Sequence, residues 1–242
     1  MKNKTKKALC AISILGVVAI SGIFAYLTDN ESKENVFTIG NVDIELLEPS
    51  WEIDGETVLD ANGNEIPDFA ENVLPGQVID KDPQIKNVGS NDAYVFMKVT
   101  VPKDWAITAD EDGELENNGE NVQTELFTYE IDRDNWRQIS GYYENDDGSV
   151  TRYYAYKAVL PADDTDDANV TTPLFESVQL ANVINTAFTK TTDTNIKIEA
   201  YAIQCDAIPN ADDIDPTDEY DMCDVFNLIS SQNDLGVTLE AR

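Results

Sequence analysis

Ala93-Tyr94-Val95-Phe96-Met97-Lys98-Val99-Thr100-Val101 is the stretch on which the fold turns. Ala93, Val95, Met97, Val99 and Val101 fall on one face of a strand, and Tyr94, Phe96, Lys98 and Thr100 on the other, because successive side chains of a strand point to opposite sides. Pro102 ends the run, having no N–H to give to a ladder. The same period of two returns upstream, where Val42, Ile44 and Leu46 oppose Asn41, Asp43 and Glu45. Downstream it predicts strands over 126–131, 137–143, 150–160, 176–180 and 195–204. Asn145-Asp146-Asp147-Gly148 between two tyrosine-rich runs predicts a hairpin turn. Helical signals are few: a short helix over 181–188, and a second over 217–229 with Asp215 as N-cap and Pro216 in its first turn. Many short strands and few helices predict an all-β, jelly-roll-like β-sandwich with a few short helices, a single domain over residues 42–242.

Ahead of that domain, Lys2, Lys4, Lys6 and Lys7 form a basic head, followed by an uncharged, mostly apolar run from Ala8 to Ala25. This is the layout of a secretory leader, a signal helix over residues 1–25 with cleavage between Ala25 and Tyr26. Ala25 satisfies the small-residue requirement before the cut, whereas Ile23 fits the position two residues earlier less well. Twenty residues, 8–27, also suffice to span a bilayer as a retained anchor, and the small-residue exit favours cleavage. Membrane contact is then expected only through an uncleaved leader. Residues 26–41 form an N-terminal segment between leader and domain.

Removing the leader takes four lysines with it and leaves 12 basic residues against 47 acidic ones, a formal charge of −35 on about 217 residues. So acidic a chain repels nucleic acid and anionic lipid, and no nucleic-acid partner is expected. Its apolar content is enough for one core without a disulfide scaffold. Cys205 and Cys223 are an even pair of cysteines in an oxidising compartment, compatible with a disulfide or with two free thiols.

There is no histidine anywhere. That removes the commonest general base, the usual catalytic triads and the usual catalytic zinc sites. Carboxylate pairs are so abundant that no chosen pair is informative, and phosphate-binding glycine motifs are missing from the sequence. No cofactor is expected, with one qualification for calcium. Asp60, Asn62, Asn64, Asp68 and Glu71, with the Ile66 carbonyl, follow the ligand spacing of a calcium loop. The glycine of such a loop belongs where Glu65 stands; Gly63 comes two residues too early, and a polar hairpin turn explains the segment as well.

Several segments together resemble one family, the secreted proteins with a SipW-dependent-type signal that includes TasA-like biofilm matrix proteins and camelysin. The resemblance runs through Phe24-Ala25-Tyr26-Leu27-Thr28-Asp29 and Asn35-Val36-Phe37-Thr38-Ile39-Gly40-Asn41-Val42-Asp43-Ile44. It continues in Leu74-Pro75-Gly76-Gln77, Lys81-Asp82-Pro83 and Asn87-Val88-Gly89-Ser90-Asn91-Asp92-Ala93-Tyr94-Val95. Thr171-Thr172-Pro173-Leu174-Phe175 and Ile198-Glu199-Ala200-Tyr201-Ala202-Ile203-Gln204 complete it. The resemblance implies a jelly roll, processing by a SipW-like signal peptidase, and a structural, non-enzymatic role in the extracellular matrix or on the surface of a Gram-positive-type bacterium. It implies self-association or association with other matrix proteins, in which the freed segment adds as a strand to a neighbour. Here that donor lies within 26–37, with Tyr26, Leu27, Val36 and Phe37 as its apolar residues. Through camelysin the resemblance also implies a cell-surface metalloendopeptidase, a reading that the lack of histidine disfavours.

Overall fold

The computed structural model describes residues 42–53, 56–57, 73–110, 112–162, 167–184, 195–208 and 211–241, together with the backbone of 17–22. In chain order the strands are β1 (Val17–Gly22), β2 (Ile44–Leu47), β3 (Glu52–Ile53), β4 (Glu56–Thr57), β5 (Val78–Asp80), β6 (Gln84–Asn87) and β7 (Ala93–Val101). They continue as β8 (Lys103–Ala106), β9 (Val122–Glu125), β10 (Phe127–Thr128), β11 (Trp136–Glu144), β12 (Val150–Tyr156), β13 (Ser177–Leu180) and β14 (Ile196–Gln204). Among the described residues one α-helix, α1 (Glu219–Asn233), and several 3-10 turns accompany the strands. The fold is all-β and jelly-roll-like.

The main sheet is antiparallel throughout, in the order β1-β14-β7-β12-β11. Its middle strand β7 occupies the predicted span, and its two faces serve two separate cores. Ala93, Val95, Met97, Val99 and Val101 pack with Ile196, Ile198, Ala200 and Ala202 against residues of the smaller β-elements, among them Ile44, Ile79, Ile85, Phe127 and Val178. That is the sandwich interior. Those elements are the three-stranded sheet β10-β13-β5 and the pairs β2-β6, β3-β4 and β8-β9.

On the opposite face Tyr94, Phe96, Ile139, Tyr153, Tyr201 and Ile203 pack against Met222, Cys223, Val225, Phe226 and Ile229 of α1. The buried helix positions recur every three or four residues, so one stripe of α1 lies on the sheet. Phe226 is the hub: its ring meets Phe96 of β7 edge-on at 5.4 Å, Tyr153 of β12 at 4.9 Å and Tyr201 of β14 at 5.5 Å. After α1, Asp234 adopts a left-handed conformation (φ 54°) that turns the chain back. The Asn227 side chain then brackets Leu239, donating to its carbonyl at 2.9 Å and accepting from its N–H at 2.7 Å.

Three expectations change. The Asp215 side chain is not the helix cap; it accepts from Thr217 N and Oγ1 in a turn of its own, and Asp218 caps α1 by accepting from Tyr220 N and Asp221 N. Two short polar caps in series compete for the same role, and the chain uses both. Residues 181–184 are extended rather than helical, because Val183 bridges Thr108 and Ile184 N donates to Ile107 O. Val17–Gly22 is a strand where a leader helix was expected: its β-branched residues favour extended backbone, and the outer edge of β14 offers a ladder to join.

A charged pair sits inside the sandwich. Lys81 is fully buried, its Nζ 2.6 Å from both Glu48 carboxylate oxygens and 4.4 Å from the centre of the Trp51 ring. Trp51 in turn donates from Nε1 to Asp80 O at 2.8 Å. A buried cation survives only when paired, and here a carboxylate and an aromatic face share the task.

Phe226→Ala is expected to cost about 3–5 kcal/mol of stability by chemical denaturation, whereas Tyr220→Ala, on the exposed side of α1, should stay within about 0.5 kcal/mol. Lys81→Met strands the Glu48 carboxylate and should cost about 3–5 kcal/mol, most of it recovered when Glu48 is also made Leu. Equal losses in the single and double variants would show that the pair is not coupled.

Candidate functional site: a leader-covered edge and a basic groove

At one side of the main sheet, β1 pairs with β14 over six positions, from Val17 opposite Tyr201 to Gly22 opposite Ile196. The other side of β14 is held by β7 along its whole length. The outer ladder of β14 is therefore made by Val17–Gly22, within the stretch expected from the sequence to be a leader. A strand without a neighbour exposes a row of unpaired N–H and C=O groups, a template for another strand.

At the far side of the sheet, the β11–β12 hairpin forms one wall of an open groove of about 800 Å³, with β9, β10 and the segment after β10 opposite. Five basic residues line it: Lys103, Arg133, Arg137, Arg152 and Lys157, with Glu125 as the single carboxylate. Arg152 and Glu125 neutralise each other through a two-pronged pair with both contacts at 2.8 Å. That pairing holds the guanidinium charged and pushes its pKa further up. Lys103 pairs with Glu144 at 2.9 Å. Arg133 and Arg137 make no ion pair among the described residues, and Lys157 donates only to the Arg133 carbonyl, at 2.6 Å. Three cations without a salt bridge among the described residues thus share one groove on a strongly acidic chain, Arg137 acting at longer range on Asp215.

The floor is aromatic and its positions are locked. Tyr129 and Tyr154 hydrogen-bond through their hydroxyls at 2.9 Å, and burial pushes both phenol pKa values up. Trp136 is buried, its Nε1 donating to Thr172 O at 3.0 Å. The turn carrying Arg133 is built on Asp132, whose carboxylate accepts from Asn135 Nδ2 at 2.8 Å, Thr172 Oγ1 at 2.9 Å and the Asp134 N–H at 3.1 Å. These bonds, that from Asn135 first, hold its pKa below the usual aspartate value.

Of the residues singled out in the sequence, Ala25, Tyr26, Leu27, Val36, Phe37 and the whole calcium-spaced set from Asp60 to Glu71 lie outside the described residues. Cys205 and Cys223 are both free thiols; a disulfide does not join them. Both contribute to the core beneath α1. Burial, then neighbouring carboxylates, pushes Cys205 up to about 12 and Cys223 up to about 11, so neither is a ready nucleophile. Among the described residues, no three or more acidic or cysteine side chains are grouped to hold a metal ion, and no helix is long and apolar enough to cross a membrane.

The motifs that carried the family resemblance occupy structural corners. Gly76 sits at positive φ in the turn closed by Gln77 N donating to Leu74 O. Lys81 makes the buried pair, and Asn87 ties its side chain to Asn91 O, Leu160 O and Gly89 N. The groove was not legible in the sequence, although Arg133, Arg137, Arg152 and Lys157 place four of the chain's 16 basic residues in one 25-residue stretch. Comparisons with family models, curated proteins and solved structures return no match.

Asp132→Asn should lower stability at pH 7 by about 1–2 kcal/mol. Because the native pKa is depressed, the carboxylate stabilises above the unfolded value and loses that contribution as pH falls through the native one, so the deficit should shrink below about pH 4. Urea midpoints at pH 7 and pH 3 measure it, and a deficit independent of pH would overturn the assignment.

Proposed function

We propose that the protein is a secreted, non-enzymatic structural subunit of the extracellular matrix or cell surface. It assembles once its leader has been removed, when the N-terminal segment of one copy adds as a strand to the sheet of the next. The observation that carries this reading is the pairing of Val17–Gly22 with β14. Cutting after Ala25 removes β1 and uncovers the backbone of β14 from Ile196 to Tyr201. The segment starting at Tyr26 is freed by the same cut. Backbone hydrogen bonds and alternate apolar side chains then join neighbouring copies, and a head-to-tail contact of this kind propagates.

The overall charge sets the conditions. Subunits of formal charge −35 repel one another at low ionic strength, and salt, divalent cations or acid relieve that repulsion.

The test is negative-stain electron microscopy of residues 26–242 beside residues 36–242, across salt and calcium concentrations. Filaments are expected from the longer chain only, and faster as salt rises from low values. Monomers from both under every condition, or assembly fastest at the lowest ionic strength, would overturn the reading.

A further inference from the structure

The basic groove has no part in strand donation, yet it is the place where an acidic chain concentrates its free positive charge. What occupies it must be anionic and must offer something to an aromatic floor. The molecule itself displays such an object. Residue 110 and residues 112–120 form an exposed lobe carrying Asp110, Asp112, Glu114, Glu116 and Glu120, none of which makes an ion pair among the described residues. Within it Leu115 is 56% exposed, an apolar side chain between Glu114 and Glu116 in the sequence.

The lobe is shaped before any contact is made. Asp110 accepts from the N–H groups of Asp112 and Glu114 at 3.0 and 2.8 Å, and Glu116 N donates back to Thr108 O at 3.0 Å. Asn117, Asn118 and Gly119 all hold positive φ, residue types that tolerate the left-handed region. At Gly119 the positive φ of 73° is what favours glycine, and the Leu115 side chain lies across it. A preformed protrusion loses little entropy on docking.

The competing acidic turn, at the start of α1, also bears an exposed aromatic, Tyr220, but its carboxylates are engaged. Asp218 caps the helix, Glu219 accepts from Ser140 N and Asp221 from Asp215 N. The carboxylates of the 110–120 lobe at 112, 114, 116 and 120 have no such duty. Being exposed, the lobe does not fill the groove of its own molecule.

We infer that the groove around Arg133, Arg137 and Lys157 receives the 110–120 lobe of a second copy of this chain, a lateral or head-to-tail contact additional to strand donation. This inference rests on the self-assembling reading above. Lobe and groove are different surfaces, so the contact is heterologous and each copy offers one of each. It also gives the assembly a salt optimum. The repulsion between whole subunits is long-ranged and is screened first, whereas ion pairs enclosed in a groove are screened less, so association is strongest at intermediate ionic strength.

The experiment uses the exported product of the full chain, purified and followed by sedimentation velocity across salt and protein concentration. Arg133→Glu/Arg137→Glu in one variant and Asp112→Lys/Glu114→Lys/Glu116→Lys in another should each weaken self-association roughly tenfold or more. A mixture of the two should regain it, because the inverted lobe now matches the inverted groove. All five positions except the half-buried Arg137 are exposed, and unchanged thermal melting checks folding. If a variant does not fold, added polyglutamate must dissociate the wild-type complex instead. Undiminished association of both variants, no recovery on mixing, or a monomeric wild type that retains a polyuronate through Arg133 and Arg137 would each overturn the lobe as occupant. Groove-dependent association lost in the variant while filaments persist supports two independent contacts; filaments lost on trimming 26–35 while the groove contact survives remove strand donation alone.

Discussion

Burial of both faces of β7 is the constraint from which the architecture follows. A sheet with one wet face needs only one covering layer, but Tyr94 and Phe96 on one side and Val95, Met97 and Val99 on the other are all buried. Small β-elements cover one face and α1 covers the other. Phe226 makes the second cover specific. Its contacts to β7, β12 and β14 tie the helix to three adjacent strands, and the Ser140 bulge in β11 meets the first turn of α1 through Glu219. The register shift between Ile139 and Tyr143 thus accommodates the helix end, at a point where Ser140 takes a positive φ of 67°.

Charge is distributed in a way that isolates the groove. Lys81 is spent inside the sandwich on Glu48, Lys98 pairs with Glu199 across neighbouring strands, and Arg152 and Lys103 pair with Glu125 and Glu144. Arg133, Arg137 and Lys157 form no salt bridge among the described residues, and the fold gathers them along one groove. A chain under selection only for solubility has no use for that arrangement.

Strands were legible wherever one rule decided the local structure. The alternation in 93–101 located β7 to the residue, and Asn145 to Gly148 formed the expected turn, with Gly148 N donating to Asn145 O. The alternation in 42–46 marked β2 and the buried Val42 beside it. Elsewhere tertiary partners set the limits. The run 126–131 pairs only at Phe127–Thr128, because Tyr129 turns its ring to Phe175 at 4.7 Å and its hydroxyl to Tyr154. The run 150–160 stops at Tyr156, since Lys157 N donates to Asn135 O, and Leu160 returns later as a bridge to Ala93. The groove was hidden for the same reason. Its cations are ordinary surface residues in sequence, separated along a hairpin whose pairing alone brings Arg137 opposite Ala155 and so near Lys157.

The leader strand joins these points into one mechanical argument. Val17–Gly22 is rich in β-branched residues, which suit an apolar leader and an edge strand equally well. While it is attached, β14 has a neighbour on each side and the main sheet offers no ladder there. Strand addition at that edge requires β1 to leave, since two strands cannot share one row of N–H and C=O groups. On the proposed reading, cleavage therefore does more than permit export: it removes an internal competitor in the same event that frees the donor. On that same reading, filling of the edge by Val17–Gly22 would keep an aggregation-prone surface closed until cleavage. A polar, charged donor is then sufficient, because it competes with water and not with a covalently tethered strand.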